Sequence, residues 1–234
     1  HKDFNGDAFG LEMKQSVLDY IKNKFGKIDL LIYSLASGVR KNVKTDTMIR
    51  SHIKPLGQVA KGKSIDIANM QVVNLELEPA TKQETKDTVF VMGGSDWKDW
   101  IDFLDENNVL SKGFKTIAYT YIGGDKTNSI YRHGTLGKAK EDLEAAANQM
   151  HQMISQKYQG EALTSSSKAV ITKASVFIPS NPIYVACLFD VMKSHKVHES
   201  ILEHKYRLFK DMVYGDARIL DEKGRIRIDH QEMD

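Results

Sequence analysis

A tyrosine and a lysine nine residues apart, Tyr131 and Lys140, are of the residue types suited to proton transfer at a carbonyl oxygen. A tyrosine hydroxyl with a solution pKa of about 10 is a weak acid at neutral pH. A neighbouring ammonium group stabilises the phenolate, lowers the pKa of the hydroxyl and makes it a usable donor to a developing oxyanion. The pair therefore predicts acid catalysis, provided that the two side chains meet.

The spacing of the pair decides where each residue must lie. On one α-helix of about 3.6 residues per turn, the two side chains would point to opposite faces. They converge only if Tyr131 lies in a loop before the helix that carries Lys140, and Gly134 with the candidate N-cap Thr135 allows such a start. The sequence permits this geometry without requiring it. A tyrosine and a lysine nine residues apart are also common by chance. His133 is a weaker candidate acid.

Helical and strand-like segments alternate along the chain and predict the sheet that must position the pair. Apolar residues at helical spacing occur over 11–25, and a long helix is predicted from about 135 to 157. Short apolar runs predict buried strands at 28–33, 114–122 and 168–172. The pattern indicates an α/β fold with an open, mostly parallel sheet and flanking helices.

Residues from about 40 to 80 interrupt this alternation. Their near-alternation of Thr, Val, Ile and Lys favours a small β-hairpin insertion without an obvious catalytic motif. Beyond the insertion, helices are predicted at 81–91, from Ser95 through Leu104, at 183–193 and at 198–213, and a short strand around 226–228. Since neither a repeat nor a linker is visible, residues 1–234 are predicted to form a single domain.

Composition limits the classes of partner and compartment. A net charge of +2 among 234 residues gives no reason to expect nucleic acid or an acidic membrane surface as partner. No apolar run approaches the roughly 20 residues of a membrane span, and no signal peptide is visible. The single cysteine, Cys187, is expected to fill the core, and an unpaired cysteine favours a reducing compartment. We therefore predict a cytoplasmic protein without a bound metal.

Several segments of the chain carry a resemblance to a known family. The segment Tyr131-Arg-His-Gly-Thr-Leu-Gly-Lys-Ala-Lys140 resembles the Tyr-x8-Lys active-site segment of the trans-2-enoyl-CoA reductases and the related bacterial enoyl-ACP reductases. Further segments match family signatures in the family's order, at 5–9, 33–37, 54–55, 91–94 with 96–97, 119–123 and 225–229.

The resemblance implies an enlarged, Rossmann-like relative of the short-chain dehydrogenase fold. It implies NADH-dependent reduction of the trans-2 double bond of enoyl-CoA or enoyl-ACP in fatty acid synthesis, by a monomer. Tyr131 is implied as proton donor, Lys140 as the residue that holds the cofactor and tunes Tyr131, and Tyr121 as the contact to the substrate. Cofactor contacts are implied for Asp7, Ala8, Leu35, Ala36, Val170, Ile171 and Thr172.

Departures from the family keep alternatives open. The family's N-terminal strands, with the Gly-rich turn that receives a pyrophosphate at a helix N-terminus, have no counterpart here. We therefore expect a chain shortened at both ends that binds NADH poorly by itself. A catalytically inactive nucleotide-binding or scaffolding fragment is the alternative. A carbonyl-reducing short-chain dehydrogenase would require lysine four residues after Tyr131, where Thr135 stands.

Overall fold

The computed structural model describes residues 1–35, 37–66, 69–123, 128, 131–169 and 178–228. The helices are α1 (Leu11–Lys24), α2 (Lys82–Met92), α3 (Ser95–Glu106), α4 (Thr135–Tyr158), α5 (Asn181–Ser194) and α6 (Ile201–Arg207), which continues as a π-helix over Leu208–Val213. The strands are β1 (Ile28–Tyr33), β2 (Val39–Asn42), β3 (Thr47–Arg50), β4 (Ala60–Asp66), β5 (Gln71–Leu77), β6 (Leu110–Thr120), β7 (Glu161–Ser166) and β8 (Ile226–Arg227).

The central sheet has the order β1-β6-β7-β8, and all its described pairs are parallel. Leu31 pairs with Thr116, and Thr116 pairs with Ala162 on the other side. Parallel strands leave their carboxyl ends on one edge, where open α/β sheets bind their ligands. The predicted α/β architecture is confirmed.

The third strand of the sheet corrects the prediction. We expected a strand at 168–172, but β7 spans Glu161–Ser166, and Lys168 and Ala169 follow it as irregular chain. Residues 170–172 lie outside the described residues. A search for apolar runs does not find this strand, because its buried residues Thr164, Ser165 and Ser166 carry hydroxyl groups. Its backbone groups are paired with β6 on one side and β8 on the other, so a buried strand forms without an apolar run.

The insertion contains two hairpins where the sequence predicts one. β2 pairs antiparallel with β3, and β4 pairs antiparallel with β5. Helix α5 packs against β4, so the second hairpin lies beside the helices that follow the sheet.

Two apolar clusters cover opposite faces of the sheet. The larger lies between the sheet and helices α1, α3 and α4, and Trp97 at its centre is fully buried and donates from Nε1 to Thr116 Oγ1 at 2.8 Å. The smaller cluster is formed by Ile117, Leu163, Leu208, Met212, Val213, Ile226 and Ile228. A parallel sheet requires cover on both faces, and these clusters supply it on the two sides of β6. Trp97 and Trp100 are core residues, as predicted.

A buried polar group fixes the end of β1. Asp96 is 1% exposed and accepts from Lys14 Nζ at 3.0 Å and from the Tyr33 hydroxyl at 3.2 Å. A buried carboxylate must be paired to offset the loss of hydration. Lys14 and Tyr33 supply those partners, and the contact joins α1, α3 and the carboxyl end of β1.

The prediction that Cys187 fills the core is wrong, since its side chain is exposed. Helix α5 buries Val185 and Met192, which lie on a different face of the helix from Cys187. An apolar run alone does not show which residues of a helix face inward. Among the described residues, no helix is both long and apolar enough to cross a membrane.

Candidate active site

A cavity of about 500 Å³ opens at the carboxyl ends of β1, β6 and β7. Both members of the predicted catalytic pair line it, together with Tyr121 and Leu35. Further polar residues line it as well, among them Tyr119, Ser167 and Lys205. The sheet therefore brings most of the described candidate residues to one place.

Tyr131 lies in the turn before α4, which is the placement that the pair requires. The Tyr131 carbonyl accepts from Gly137 N at 2.9 Å and from Gly134 N at 3.3 Å, and the helix begins at Thr135. Lys140 lies on the second turn of that helix. Because the tyrosine precedes the helix, both side chains reach the same cavity.

Thr135 does not cap the helix as predicted, because Gly134 occupies the N-cap position. The Thr135 hydroxyl instead donates to the His52 carbonyl at 2.5 Å and accepts from Lys54 N at 3.1 Å. Pro55 forms an isolated antiparallel bridge with Gly134. The segment between the two hairpins thus anchors the turn that carries Tyr131.

The two tyrosines of the cavity contact each other edge to face. The ring centroids of Tyr121 and Tyr131 are 4.8 Å apart, and the ring planes are inclined by 87°. Tyr121 follows the last residue of β6. Aromatic pairs in this arrangement hold each other's orientation, so both rings have a defined direction in the cavity.

The pKa of the Tyr131 hydroxyl is raised, not lowered as the sequence predicts. Burial is the cause, and the Arg132 guanidinium opposes it only in part. Lys140 Nζ donates to the Tyr119 carbonyl at 3.1 Å. Burial lowers the pKa of Lys140 to about 8, with Glu144 acting in the opposite direction. The Tyr131 hydroxyl is therefore protonated at neutral pH, but it is a weaker acid than the sequence predicts.

The remaining predicted residues fall in three groups. Leu35 lines the cavity. Asp7 and Ala8 do not line it: the Asp7 carboxylate accepts from Phe9 N at 3.0 Å, and the Ala8 carbonyl accepts from Trp100 Nε1 at 3.1 Å. Ala36, Val170, Ile171 and Thr172 lie outside the described residues. His133 is exposed and does not line the cavity.

Glu144 connects several parts of the site, and the sequence reading missed it. Its carboxylate accepts from Arg132 at 2.9–3.1 Å, from Arg225 at 3.3 Å and from the Thr120 hydroxyl at 3.1 Å. These contacts join the residue after Tyr131, the chain before β8 and the end of β6. Glu144 lies four residues after Lys140 on α4, a helical spacing that places both on one face and was the available signal.

We expect Glu144→Gln to lower the free energy of unfolding by about 3 kcal/mol at pH 7, because the half-buried Arg132 loses its carboxylate and the buried Arg225 loses one of its two, keeping Asp221. Burial raises the pKa of Glu144, but Arg132 and Arg225 outweigh it and the net direction is downward. A lowered folded-state pKa stabilises above the unfolded pKa of about 4.3, and the stabilisation is lost as pH falls through the folded pKa. The difference between parent and variant should therefore shrink below about pH 4.

Urea unfolding at several pH values measures this difference. The matched control is Glu141→Gln on the exposed face of the same helix, where Glu141 has no ion-pair partner other than Lys138 among the described residues. It should change the free energy of unfolding by less than about 0.5 kcal/mol. Equal losses for the two variants would show that Glu144 has no special role.

Gly137→Ala is expected to destabilise the protein, although alanine is normally the better helix residue. A Cβ at position 137 would lie 1.9 Å from the Arg132 carbonyl oxygen, a backbone atom that cannot move without the Tyr131 turn. Such overpacking costs about 1–3 kcal/mol, more than the gain of about 0.5–1 kcal/mol from helix propensity. Chemical denaturation beside the exposed control Lys138→Ala checks the sign; a stabilised Gly137→Ala variant would contradict it.

Comparisons with known proteins agree with this geometry. The family described as the trans-2-enoyl-CoA reductase catalytic region matches residues 1–214. The chain is 45% identical over 233 residues to an enoyl-[acyl-carrier-protein] reductase [NADH] of Flavobacterium johnsoniae, covering 99% of this chain and 59% of that protein. A protein of the same description from Photobacterium profundum is 46% identical over 236 residues, covering 100% and 59%.

Solved structures give the same result. The trans-2-enoyl-CoA reductase of Clostridium acetobutulicum, crystallised with NADH, superposes with a TM-score of 0.94 at 40% identity, covering 100% of this chain and 59% of that one. The Treponema denticola trans-2-enoyl-CoA reductase, crystallised with NAD, has a TM-score of 0.89 at 41% identity, covering 99% and 58%. The chain thus spans about three fifths of the length of these relatives. Because the family match covers nearly the whole chain, this chain belongs to the trans-2-enoyl-CoA reductase family.

Proposed function

We propose that this chain provides the catalytic cavity of an NADH-dependent reductase that acts on the trans-2 double bond of enoyl thioesters, carried by CoA or acyl carrier protein, in fatty acid synthesis. The observation that carries the proposal is the convergence of Tyr131, Tyr121 and Lys140 in one cavity at the carboxyl ends of parallel strands. The relatives named as enoyl reductases support the same chemistry.

The tyrosines supply what this reduction requires of a protein. Addition of hydride to the β-carbon of the enoyl thioester moves an electron pair towards the carbonyl oxygen and forms an enolate. A hydroxyl held at that oxygen stabilises the enolate, and a proton is then delivered to complete the saturated thioester. We assign that donation to Tyr131 and contact with the thioester to Tyr121. The Tyr131 hydroxyl is protonated at neutral pH, as a donor must be, although burial raises its pKa and makes it a weaker acid.

One residue of the cavity, Lys140, is suited to hold part of a dinucleotide. When bound, NADH supplies the hydride. Among the described residues, no carboxylate forms an ion pair with Lys140, so its ammonium remains available to ribose hydroxyls. We assign cofactor contacts to Lys140 and Leu35, and propose further contacts by Asp7, Ala8, Ala36, Val170, Ile171 and Thr172.

The proposal is tested by measuring the rate at which the protein, expressed from its natural gene, oxidises NADH in the presence of crotonyl-CoA. Turnover with crotonyl-CoA or with crotonyl carrier protein supports it, and the ratio of the two kcat/KM values identifies the carrier. NADH binding without turnover on either substrate would replace it with the alternative of an inactive nucleotide-binding or scaffolding domain.

We further propose that the protein is a cytoplasmic monomer. An unpaired, exposed Cys187 is compatible with a reducing compartment. Light scattering of the purified protein and cell fractionation check the two parts separately. A stable dimer would overturn the first, and recovery of the protein in a secreted or membrane fraction would overturn the second.

A further inference from the structure

Lys205 is one of two lysines of the cavity, with Lys168, that the proposed mechanism does not use. It lies on α6, on the opposite side of the sheet from α4, and its side chain lines the cavity. Lys205 Nζ donates to the Ser167 hydroxyl at 2.8 Å and lies 3.5 Å from the centroid of the Tyr119 ring. A cation at that distance from an aromatic face is attracted by the ring, and more strongly when both are shielded from water.

The positive charge of Lys205 is not neutralised by a carboxylate within the described part of the chain. The neighbouring Lys168 differs, because it pairs with Glu199 at 3.1 Å, and that carboxylate also binds Arg207 and His204. Burial lowers the pKa of Lys205 to about 8, so the ammonium form still predominates at neutral pH. An ammonium held by a hydroxyl and a ring, rather than by an acid, is an unusual choice for a purely structural contact.

The two contacts of Lys205 lead to the strand ends beside Lys140. The backbone carbonyl of Tyr119 accepts from Lys140 Nζ at 3.1 Å. The backbone N–H of Ser167 donates to the Thr120 carbonyl at 3.0 Å, which joins the carboxyl ends of β6 and β7. Lys205 therefore contacts the carboxyl ends of both β6 and β7 from the α6 side. Lys140 contacts the carboxyl end of β6 from α4.

We propose that Lys205 is a positioning residue, which holds Tyr119 and Ser167 so that the Tyr119 carbonyl fixes the Lys140 ammonium in the cavity. The inference rests on the proposed function. It predicts that the effect of Lys205 on turnover passes through Tyr119 and Lys140, and does not depend on the overall stability of the protein.

Kinetics on four variants test this route. Lys205→Met should lower kcat for crotonyl-CoA reduction by about 10- to 100-fold, the loss expected when a catalytic group is misplaced by about 1 Å. Lys205→Arg, which keeps the charge and stacks on aromatic faces, should recover most of that loss. Tyr119→Leu should resemble Lys205→Met, and the double variant should be no worse than the poorer single variant, since both act on one contact.

The matched control is Lys210→Met. Lys210 is exposed on the adjacent π-helix and lies 5.7 Å from the Tyr206 ring, outside the cavity. Its kcat should stay within about twofold of the parent value. A Lys205→Met variant that melts at a lower temperature but keeps the parental kcat, or a double variant whose losses multiply, would overturn the inference.

A second measurement does not need turnover. In protein labelled with 15N-lysine, the Lys140 ammonium resonance, assigned with Lys140→Arg, should shift or broaden in Lys205→Met and stay unchanged in Lys210→Met. An unchanged Lys140 resonance in Lys205→Met would overturn the inference even if the reductase is active. A changed resonance in a protein that reduces no enoyl thioester would uphold the positioning and overturn only the proposed function.

Discussion

Replacement of Tyr131 by phenylalanine is expected to lower kcat for crotonyl-CoA reduction by about 10²–10⁴-fold, the range typical of losing a general acid. The ring remains, so the edge-to-face contact with Tyr121 is kept and only the hydroxyl is removed. Since the hydroxyl acts on charge that develops in the transition state, KM should change by no more than about threefold. Steady-state kinetics at saturating NADH measure both values.

The matched control is Tyr214→Phe, which removes a hydroxyl from a side chain that is 58% exposed and outside the cavity. It should retain the parental kcat. A Tyr131→Phe variant with more than about one tenth of the parental kcat would remove Tyr131 from the role of donor, because a general acid contributes at least about 10²-fold. Tyr121→Phe would then be the next variant to measure.

Replacement of Lys140 by methionine is the second large expected effect. The Lys140 ammonium donates to the carbonyl at the end of β6, and we propose that it also contacts NADH. Without it, kcat should fall by about 10²–10³-fold and the KM for NADH should rise. Lys138→Met is the control, because Lys138 is exposed on the same helix and, within the part of the chain that the structure describes, forms an ion pair with Glu141 alone. A Lys140→Met variant with parental constants would show that this lysine serves neither purpose.

The pH dependence of the parent protein gives Lys140 a separate test. Burial lowers its pKa from 10.5 to about 8, so the charged form predominates below that pH and is lost as pH rises through it. If catalysis requires the ammonium, kcat/KM for NADH should fall on the alkaline side with an apparent pKa near 8. Burial also lowers the pKa of Lys205 to about 8, so the comparison is made in the Lys205→Arg background. Arginine remains charged over this range, and the residual activity of Lys205→Arg/Lys140→Arg should lack the alkaline limb that Lys205→Arg retains. An identical limb in both proteins would assign it to another group.

Periodicity predicted the elements that carry the pair. The apolar run at 28–33 coincides with β1, and the helix predicted from 135 is α4. Tyr131 lies in the turn before α4, a placement that its spacing from Lys140 permitted but did not require. The spacing requires Tyr131 to lie outside the helix if the two side chains are to meet. The structure satisfies this, because the Tyr131 carbonyl accepts a hydrogen bond from Gly137 N in the turn before α4. The spacing did not show that Lys140 donates to the Tyr119 carbonyl, because every residue has a backbone carbonyl and the sequence does not indicate which one is used.

Other features depended on tertiary contacts that no local pattern reports. The strand β7 is buried although it is rich in Ser and Thr, because strands on both sides satisfy its backbone. The upward shift of the Tyr131 pKa comes from burial, whereas a sequence shows only that a cation is near. Glu144 and Lys205 lie on α4 and α6, and their partners Arg225 and Tyr119 are distant along the chain.

The central claim is that hydride passes from NADH to the β-carbon of an enoyl thioester in this cavity. The most direct measurement is mass spectrometry and NMR of the product formed from crotonyl-CoA and NADH that carries two deuterium atoms at C4 of the nicotinamide. The account predicts butyryl-CoA with a single deuterium at C3 and a solvent-derived hydrogen at C2. Deuterium at the thioester carbon, in an aldehyde or alcohol, or butyryl-CoA without deuterium would contradict it.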